Sequence, residues 1–506
     1  MDAEYAIECR GITKTFGTVK ANDGIDLNAR FGEILALLGE NGSGKTTLMN
    51  ILSGIYHPDS GSVHVSGKAL HINSPSDAIG LGIGMIHQHF KLVEIMSAMD
   101  NIILGAKDKL QKPSSLKRKI LDLCDLYGLK IDPEKKIYQM SVSERQTVEI
   151  LKVLYRNARI LILDEPTAVL TPQETTGLFL ILRKMKEKGC CVIIITHKLN
   201  EVLEISDRVT ILRKGKSVAT VLTAETNEAR LAESMVGRAV NLSIKRPLVE
   251  RGKPALEVKN LTSLEPDGRK SLSNLNFTLY SGEMLGVAGI AGSGQKALCE
   301  TLTGLSKAHA GEIAYEGVNC MGKSAAEISK LGVRLAFVPE DRLGMGLVGS
   351  MGIADNMLLK TYKSGKGAFI NRKPAIRQAE RIIESLDIQT PGVDAPIRML
   401  SGGNIQKVLL GREIESRPKV LIVAYPVRGL DINTSYAIYD LLNEQKRNKT
   451  AIIFCGEDID VLLEISDRIM VLSDGRITGI ESAASLTKED VGLMMAGMDF
   501  RDKVQA

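Results

Sequence analysis

A glycine-rich loop near the start of the sequence carries residue types that suit phosphate binding. The run Gly39-Glu40-Asn41-Gly42-Ser43-Gly44-Lys45-Thr46-Thr47 fits the pattern G-x-x-x-x-G-K-[ST] and lies between an apolar segment, ILALL, and a helical one, TTLMNIL. Glycines let backbone N–H groups converge on phosphate oxygens, a lysine adds a fixed positive charge, and a threonine hydroxyl can ligate magnesium. The candidate phosphate-binding residues are therefore Gly39, Asn41, Gly42, Ser43, Gly44, Lys45, Thr46 and Thr47.

Two acidic residues stand at the end of a second apolar segment. The sequence RILILDEP, residues 159–166, places Asp164 and Glu165 directly after an apolar run. Such a run is typical of a buried strand, and ligands of open α/β sheets bind at the carboxyl ends of the strands. Asp164 suits the oxygen shell of a magnesium ion, and Glu165 suits a general base for water. A solvated strand end without a ligand is the alternative interpretation.

Apolar and helical patterns alternate along the chain. Short apolar runs such as ILALLG are followed by longer segments with helical periodicity, such as TTGLFLILRKMKEKG. This alternation indicates a mostly parallel sheet with helices on its faces, and therefore an α/β fold. Residues 91–140 and 350–400 lack β-rich runs, which predicts a helical insert in each half of the chain.

The sequence contains an internal repeat. Residues 31–67 match residues 280–317, and the glycines of the first segment recur at a spacing of 250 positions. Residues 199–212 match residues 459–472 at a spacing of 260. Such a repeat predicts two copies of one structural unit.

The junction of the two copies falls between about Gly237 and Leu256. This stretch carries two prolines, mixed charge and no clear periodicity. We therefore expect two domains, at residues 1–245 and 250–506, and each is large enough to have its own core.

The composition excludes several classes of protein. The chain has 506 residues, 44% hydrophobic and 25% charged side chains, and a formal net charge of +5. No apolar stretch approaches the roughly 18 residues of a membrane-spanning helix. The sequence contains no Lys/Arg run that is long enough to indicate nucleic acid binding. The seven cysteines are scattered without a C-x-x-C pair, which favours reduced structural thiols in a cytosolic protein.

Further motifs occur in an order that is typical of one protein family. They are Gln88 in GMIHQHF, His197 in IIITHKLNEV, and Leu400-Ser401-Gly402-Gly403-Asn404 in the second half. With these motifs the chain closely resembles the ATP-binding subunits of ABC transporters, and its tandem arrangement resembles the fused ATPases of bacterial simple-sugar and nucleoside importers. The resemblance covers essentially the whole chain. It implies two tandem P-loop ABC ATPase domains that bind ATP and Mg²⁺.

The resemblance also implies roles for single residues. Gln88 would lie at the attacking water and, together with Thr46 and Asp164, at the magnesium ion. His197 would contact the γ-phosphate. With Glu165 as the base, Gln88 and His197 complete the expected catalytic residues.

Two positions allow different interpretations. Phe16 in ITKTFGTVKA matches the aromatic residue on which the family stacks adenine, and a Phe in an amphipathic segment also fits plain core. His87 and His89 form an H-x-H pattern, which suggests a metal site. Because no carboxylate or Cys cluster accompanies them, loop histidines are the preferred interpretation.

The second half departs from the first at the residues that carry the chemistry. Its glycine-rich loop has Gln295 at the place of Lys45 and Lys296 at the place of Thr46. The other replacements are Glu340 for Gln88, Ala424 for Asp164, Tyr425 for Glu165 and Glu457 for His197. This set does not support magnesium-dependent hydrolysis.

The first half departs at the segment equivalent to Ser401–Asn404. Val142-Ser143-Glu144 replaces a Gly-Gly-Asn sequence there, and the negative charge makes a poor cradle for phosphate. In the family this segment is called the signature segment, and the halves pack head to tail. Each nucleotide therefore lies between the phosphate loop of one half and the signature segment of the other. The resemblance therefore implies that Ser401, Gly402 and Gly403 complete the first-half site. All losses then fall in the second composite site, which predicts one hydrolytic site and one that binds nucleotide weakly or not at all.

The resemblance implies a peripheral ATPase on the cytoplasmic face of the cell membrane. Its partners would be integral membrane permeases and, through them, a solute-binding protein. One copy would serve each transporter because the halves pair with each other. One alternative is a soluble tandem ATPase acting on ribosomes or DNA, but this sequence lacks the charged linker of the ribosome-associated relatives and the zinc modules of the DNA-repair relatives. The other alternative is an inactive scaffold, and the intact first half argues against it.

The segments GIGMIHQHFKLV and VAYPVRGLD look more like the nucleoside branch of these importers than the ribose or galactose branch. A nucleoside is therefore the expected solute, with a simple sugar as the alternative. ATPase subunits do not touch the solute, so no residue of this chain specifies it.

Overall fold

The computed structural model of the chain describes residues 5–88, 90–106, 112–239, 242–265, 268–362 and 370–500. It divides into two units, Met1–Asn241 and Leu242–Ala506. Residues 242–252, at the start of the second unit, contain no helix or strand.

The first unit contains ten strands and eight α-helices among its described residues. The strands are β1 Ile7–Phe16, β2 Val19–Ala29, β3 Ile34–Leu38, β4 Ser60–Val65, β5 Lys68–Leu70, β6 Ile83–Ile86, β7 Ile160–Asp164, β8 Cys191–Thr196, β9 Arg208–Arg213 and β10 Lys216–Leu222. The helices are α1 Lys45–Leu52, α2 Pro75–Gly80, α3 Ala98–Ile103, α4 Pro113–Tyr127, α5 Val142–Tyr155, α6 Pro172–Glu187, α7 Leu199–Ile205 and α8 Glu228–Val236.

Two sheets occur in the described part of this unit. The larger has the strand order β10-β9-β3-β8-β7-β6, in which all neighbours are parallel except β9 and β10. This confirms the predicted α/β fold with a mostly parallel sheet. A smaller antiparallel sheet, in the order β2-β1-β4-β5, was not predicted. Strands β1 and β2 of this sheet pair with several register shifts, which disturb the two-residue alternation from which strands are predicted.

The central strands β3 and β8 are buried on both faces. Ile34 and Val192 belong to the hydrophobic cluster on one face, and Leu35 and Ile193 belong to the cluster on the other. Strands covered on both sides are continuous apolar runs. Because these strands are held in the core, the segments that follow them and carry candidate functional residues start from fixed positions.

The helical insert of the first unit lies between β6 and β7. Helices α3 and α4 pack against α5, and no strand occurs among the described residues of 91–140. The predicted insert is confirmed for this part of the chain.

The second unit repeats these elements, with ten strands and eight α-helices among its described residues. The strands are β11 Pro254–Leu264, β12 Lys270–Tyr280, β13 Met284–Ala288, β14 Ala308–Tyr315, β15 Val318–Asn319, β16 Leu335–Val338, β17 Val420–Ala424, β18 Ala451–Cys455, β19 Arg468–Ser473 and β20 Arg476–Ser482. The helices are α9 Gln295–Leu302, α10 Ala325–Lys330, α11 Ile353–Thr361, α12 Lys373–Ser385, α13 Gly402–Glu415, α14 Ile432–Arg447, α15 Ile459–Ile465 and α16 Lys488–Met495.

The sheets of the second unit have the same order as those of the first. The larger follows β16-β17-β18-β13-β19-β20, and the smaller follows β12-β11-β14-β15. Its predicted helical insert contains α11 and α12, which pack against each other. The internal repeat of the sequence is thus a repeat of structure.

All seven cysteines are buried and free, in agreement with the predicted structural thiols. Within the described ranges, no helix combines the length and apolar character that crossing a bilayer requires.

Candidate functional site

The glycine-rich loop of the first unit connects the buried strand β3 to helix α1. Gly44 lies at the N-cap of α1 with φ +101°, a backbone conformation that favours glycine. A Cβ atom on Gly44 would lie 2.3 Å from the carbonyl oxygen of Ala21, and one on Gly39 would lie 2.5 Å from that of Leu212. Glycine therefore allows the loop to pack closely against neighbouring backbone.

Lys45 folds back over this loop. It is only 7% exposed, and its Nζ donates hydrogen bonds to the carbonyl oxygens of Gly39 at 2.6 Å and Glu40 at 2.9 Å. Burial lowers the pKa of Lys45, while the nearby carboxylates of Glu165 and Asp164 act to raise it. A cation held by loop carbonyls beside two acids is placed to bind phosphate oxygens.

The other loop residues differ in exposure. Asn41, Gly42 and Thr46 are exposed, and Thr47 is half-buried. Ser43 is buried, and its hydroxyl has no hydrogen-bond partner among the described residues. Buried polar groups are nearly always hydrogen-bonded, so a ligand oxygen in the loop would satisfy this hydroxyl.

Three neighbouring strand ends bring the predicted catalytic side chains together. Glu165 follows β7, Gln88 lies two residues after β6, and His197 directly follows β8. The Nε2 of Gln88 donates to Oε2 of Glu165 at 3.0 Å, and Nδ1 of His197 lies 2.9 Å from Oε1 of Glu165. Glu165 therefore joins the segments after the other two strands.

The charges at these strand ends affect each other. The hydrogen bond with His197 lowers the pKa of Glu165, although burial acts to raise it. Burial raises the pKa of Asp164, and the charge of Glu165 adds to this effect. Glu165 is therefore ionised at neutral pH, and the adjacent Asp164 lacks a fully compensating positive charge.

A second network, which was not predicted, links the segments after β7 and β8. The Oγ1 of Thr167 donates to Oε2 of Glu201 at 2.6 Å, and Nζ of Lys198 donates to Oε1 of Glu201 at 2.9 Å. Thr167 lies two residues after Glu165, and Lys198 adjoins His197, so the network holds both catalytic candidates in place. Its only sequence signal is the i,i+3 pair Lys198 and Glu201, which is common on solvated helix surfaces.

Phe16 lies at the end of β1. It is 43% exposed, and its ring packs edge-to-face against Tyr56, with the ring centroids 5.3 Å apart. The Nζ of Lys14 lies 5.7 Å from the centroid of the Phe16 ring. This exposure contradicts the plain-core interpretation, and an exposed aromatic face fits stacking of a base.

Of the two histidines of the H-x-H pattern, only His87 belongs to the part of the chain that the structure describes. His89 lies outside the described residues. Among the described residues, no group of three His, Cys, Asp or Glu side chains is placed to hold a metal ion. The predicted magnesium ligands Thr46, Gln88 and Asp164 are a different kind of set, which combines hydroxyl, amide and carboxylate oxygens.

The glycine-rich loop of the second unit keeps its backbone but loses its internal charge. Gly294 again occupies the N-cap, with φ +108°. Gln295 is 3% exposed, and its Nε2 donates to the carbonyl oxygen of Ile290 at 3.2 Å. The side chain of Lys296 is 79% exposed, with Nζ 3.8 Å from Oε1 of Glu300. A neutral amide thus replaces the buried amine of the first unit, and the positive charge faces solvent.

The turn after β17 shows the same loss. Tyr425 has φ +49° and Glu165 has φ +46°, so the two turns share an unusual backbone conformation. Their amides donate equivalent hydrogen bonds of 2.9 Å, to Cys455 and to Ile195. The backbone is retained, and the carboxylate is not.

The two signature segments satisfy their helix N-termini differently. Ser141 caps α5, and the carboxylate of Glu144 folds back to accept a hydrogen bond from the Ser141 amide at 2.8 Å. The same carboxylate forms an ion pair with Lys135 at 2.7 Å. Ser401 caps α13 through the amide of Asn404 at 3.4 Å, and the first turn of α13 contains no acidic residue. Because a helix N-terminus attracts anions, α5 is occupied by its own carboxylate and α13 is not.

A model of the ABC transporter family matches residues 22–168 and 272–426, which together make up more than half of the chain. The two ranges contain both glycine-rich loops and the equivalent positions Glu165 and Tyr425.

Relatives of similar length match almost the whole chain. The nucleoside import ATP-binding protein NupA of Lactococcus lactis subsp. cremoris strain MG1363 is 42% identical over 505 residues, covering 98% of this chain and 99% of that protein. The guanosine import ATP-binding protein NupO of Bacillus subtilis strain 168 is 41% identical over 500 residues, covering 98% of each. The ribose import ATP-binding protein RbsA 1 of Rubrobacter xylanophilus strain DSM 9941 is 39% identical over 501 residues, covering 97% of this chain and 98% of that protein. With both units matched and such identity over nearly its full length, the chain belongs to the ABC transporter family as an ATPase with two tandem ATP-binding domains.

Proposed function

We propose that this ATPase hydrolyses ATP at the phosphate loop of its first unit and so energises import of a nucleoside through partner membrane permeases. The observation that carries this proposal is the junction at Glu165, which binds Gln88 and His197 close to the charge of Lys45. All three relatives are named as import ATP-binding proteins, which supports the transport role.

The proposed ATP site combines the phosphate loop with an aromatic residue, a strand-end acid and the signature turn of the other half. Its residues are Phe16, Gly39, Asn41, Gly42, Ser43, Gly44, Lys45, Thr46, Thr47, Asp164, Ser401, Gly402 and Gly403. The unpartnered hydroxyl of Ser43 and the amine of Lys45 support binding of phosphate oxygens. The exposed ring of Phe16 supports stacking of adenine.

Magnesium fits the donors beside this loop. Thr46, Gln88 and Asp164 offer a hydroxyl, an amide and a carboxylate oxygen, which are the hard donors that magnesium prefers. Burial and the charge of Glu165 both disfavour the ionised form of Asp164, and a nearby cation would reverse that effect. When bound, magnesium supplies neutralisation of the charge on the phosphate oxygens.

Glu165 is the proposed general base. It accepts the proton of the attacking water, whose oxygen bonds to the γ-phosphorus while the bond from that phosphorus to the bridging oxygen of ADP breaks. His197 fixes the orientation of Glu165 and contacts the γ-phosphate in this proposal. Gln88 donates its amide hydrogen to Glu165 and lies at the attacking water.

Head-to-tail pairing of the two halves is a further part of the proposal. In that arrangement the N-terminus of α13, with Ser401, Gly402 and Gly403, closes the first-unit site. The absence of an acid from the first turn of α13 supports phosphate contact there. The carboxylate of Glu144 at the N-terminus of α5 counts against an equivalent contact at the second loop.

We infer the partners from the same relatives. Integral membrane permeases would bind this chain at the cytoplasmic face of the membrane, and a solute-binding protein would deliver the solute to them. Because the two halves are proposed to pair within one chain, one copy would serve one transporter. The names of the relatives support an import assembly.

The identity of the solute is tested in the assembled transporter. Relatives named for nucleoside, guanosine and ribose import match this chain at similar identity, so the nucleoside is proposed on the segments GIGMIHQHFKLV and VAYPVRGLD, with a simple sugar as the alternative. With the permeases and the solute-binding protein in proteoliposomes, guanosine or adenosine is expected to raise ATP turnover, and ribose is not. Stimulation by ribose alone would establish the sugar alternative, and stimulation by neither solute would contradict import of a nucleoside and of ribose.

A further inference from the structure

The second unit joins its strand-end segments with inverted charge. Glu340 follows β16 and Glu457 follows β18, at the places of Gln88 and His197. Arg428 lies between the two acids, because it forms an ion pair with Glu340 and its Nε lies 3.0 Å from Oε1 of Glu457. A cation flanked by two carboxylates thus replaces the first unit's carboxylate flanked by an amide and an imidazole.

Arg428 reaches this position through a turn that both units share. Its amide donates to the carbonyl oxygen of Tyr425 at 3.2 Å, as the amide of Ala168 donates to that of Glu165 at 3.2 Å. Ala168 stands at the place of Arg428 and carries no charge. Loss of the acid at Tyr425 is therefore accompanied, three residues later, by gain of a cation.

Arg342 extends this network to α13, the helix that Ser401 caps. It donates to the carbonyl oxygen of Arg428 and, from its Nε, to Oε1 of Gln406 at 2.7 Å. Arg342 lies two residues after Glu340, and Gln406 belongs to α13. Side chains of the second unit alone therefore link the segments after β16, β17 and β18 to α13.

The same groups oppose binding of a triphosphate. Gln295 is neutral, and Lys296 faces solvent beside Glu300. Arg428 is already paired with two acids, so a triphosphate at this loop would bring its negative charges towards Glu340 and Glu457. Like charges disfavour each other, and the lysine of this loop, Lys296, faces solvent rather than the two acids.

We propose that the ion pairs of Arg428 hold the strand-end segments of the second unit together without nucleotide, so that these segments do not respond to magnesium nucleotide. This inference rests on the proposed function in one respect, since it assigns ATP to the first unit. The second unit then acts as the partner of the hydrolytic unit. Its own segments after β16, β17 and β18 stay fixed.

Hydrogen exchange on full-length Glu165→Gln protein tests the inference, because this variant is expected to hold MgATP without turnover. Addition of MgATP is expected to slow exchange in peptides that contain Gln88 and His197. Exchange in peptides that contain Glu340 and Glu457 is expected to stay the same. Slowing in both sets would overturn the inference.

The variant Arg428→Gln in the same background tests the ion pairs directly. All three charged side chains are about half exposed, at 51%, 44% and 46%, so each pair contributes modestly. We expect exchange around Glu340 and Glu457 to rise roughly three- to tenfold, with or without MgATP. Lys296→Gln removes an exposed cation of the same unit and is the matched control, with no change expected.

Unchanged exchange in Arg428→Gln would contradict the role of the ion pairs. The test with MgATP does not depend on how that variant folds. If peptides containing Gln88 and His197 do not respond to MgATP, the proposed function fails, whereas the role of Arg428 is still decided by its own variant.

Discussion

Glu165→Gln is expected to lower steady-state ATP hydrolysis by about 10²- to 10⁴-fold, because it removes the proposed base. The amide keeps the shape of the side chain and one oxygen that can accept a hydrogen bond from Gln88 or His197. The phosphate loop is untouched, so MgATP binding is expected to persist. Turnover and nucleotide retention by the same full-length preparation measure the two effects.

Tyr425→Phe is the matched control, since Tyr425 occupies the equivalent turn in the second unit. It is expected to hydrolyse ATP at nearly the wild-type rate. If Glu165→Gln kept turnover near that of Tyr425→Phe, the assignment of the base would be wrong.

Ser401→Arg should inactivate the enzyme from the opposite half of the chain. In the proposed pairing, the N-terminus of α13 closes over the γ-phosphate, and a bulky cation there would block closure. Loss of a preorganised donor at a reacting anion typically costs about 10²- to 10³-fold in rate, and we expect at least that loss here. ATP turnover of the full-length variant in the assembled transporter is the measurement.

Ser141→Arg provides the control for Ser401→Arg. Both serines cap their helices, so both variants lose a cap worth about 0.5–2 kcal/mol of stability. Only Ser401 belongs to the proposed ATP site, so Ser141→Arg is expected to retain hydrolysis. Equal inactivation by both variants would point to folding rather than to closure of the site.

Much of the candidate site was predictable because its signals are local. The phosphate loop is contiguous in sequence between a buried strand and a helix, and Asp164 and Glu165 directly follow another buried strand. Parallel strands bring their carboxyl ends to one edge, which explains why Gln88 and His197 meet at Glu165. The repeat then fixed the equivalent residues of the second unit.

Other features depend on contacts between residues far apart in sequence. Arg428 pairs with Glu340, 88 positions earlier, and the pattern around neither residue indicates that contact. The bond between Thr167 and Glu201 spans 34 positions. The antiparallel sheet was missed for a different reason, since register shifts between β1 and β2 disturb their alternation.

The central claim is that hydrolysis belongs to the phosphate loop of the first unit, and the pair Lys45→Ala and Gln295→Ala tests it most directly. The two residues occupy equivalent buried positions, where each donates to a carbonyl of its own loop. With saturating MgATP and full-length protein in the assembled transporter, Lys45→Ala is expected to lose at least about 10²-fold in ATP turnover. Gln295→Ala is expected to stay within about twofold of wild type. A comparable collapse in Gln295→Ala, or near-normal turnover in Lys45→Ala, would contradict the claim.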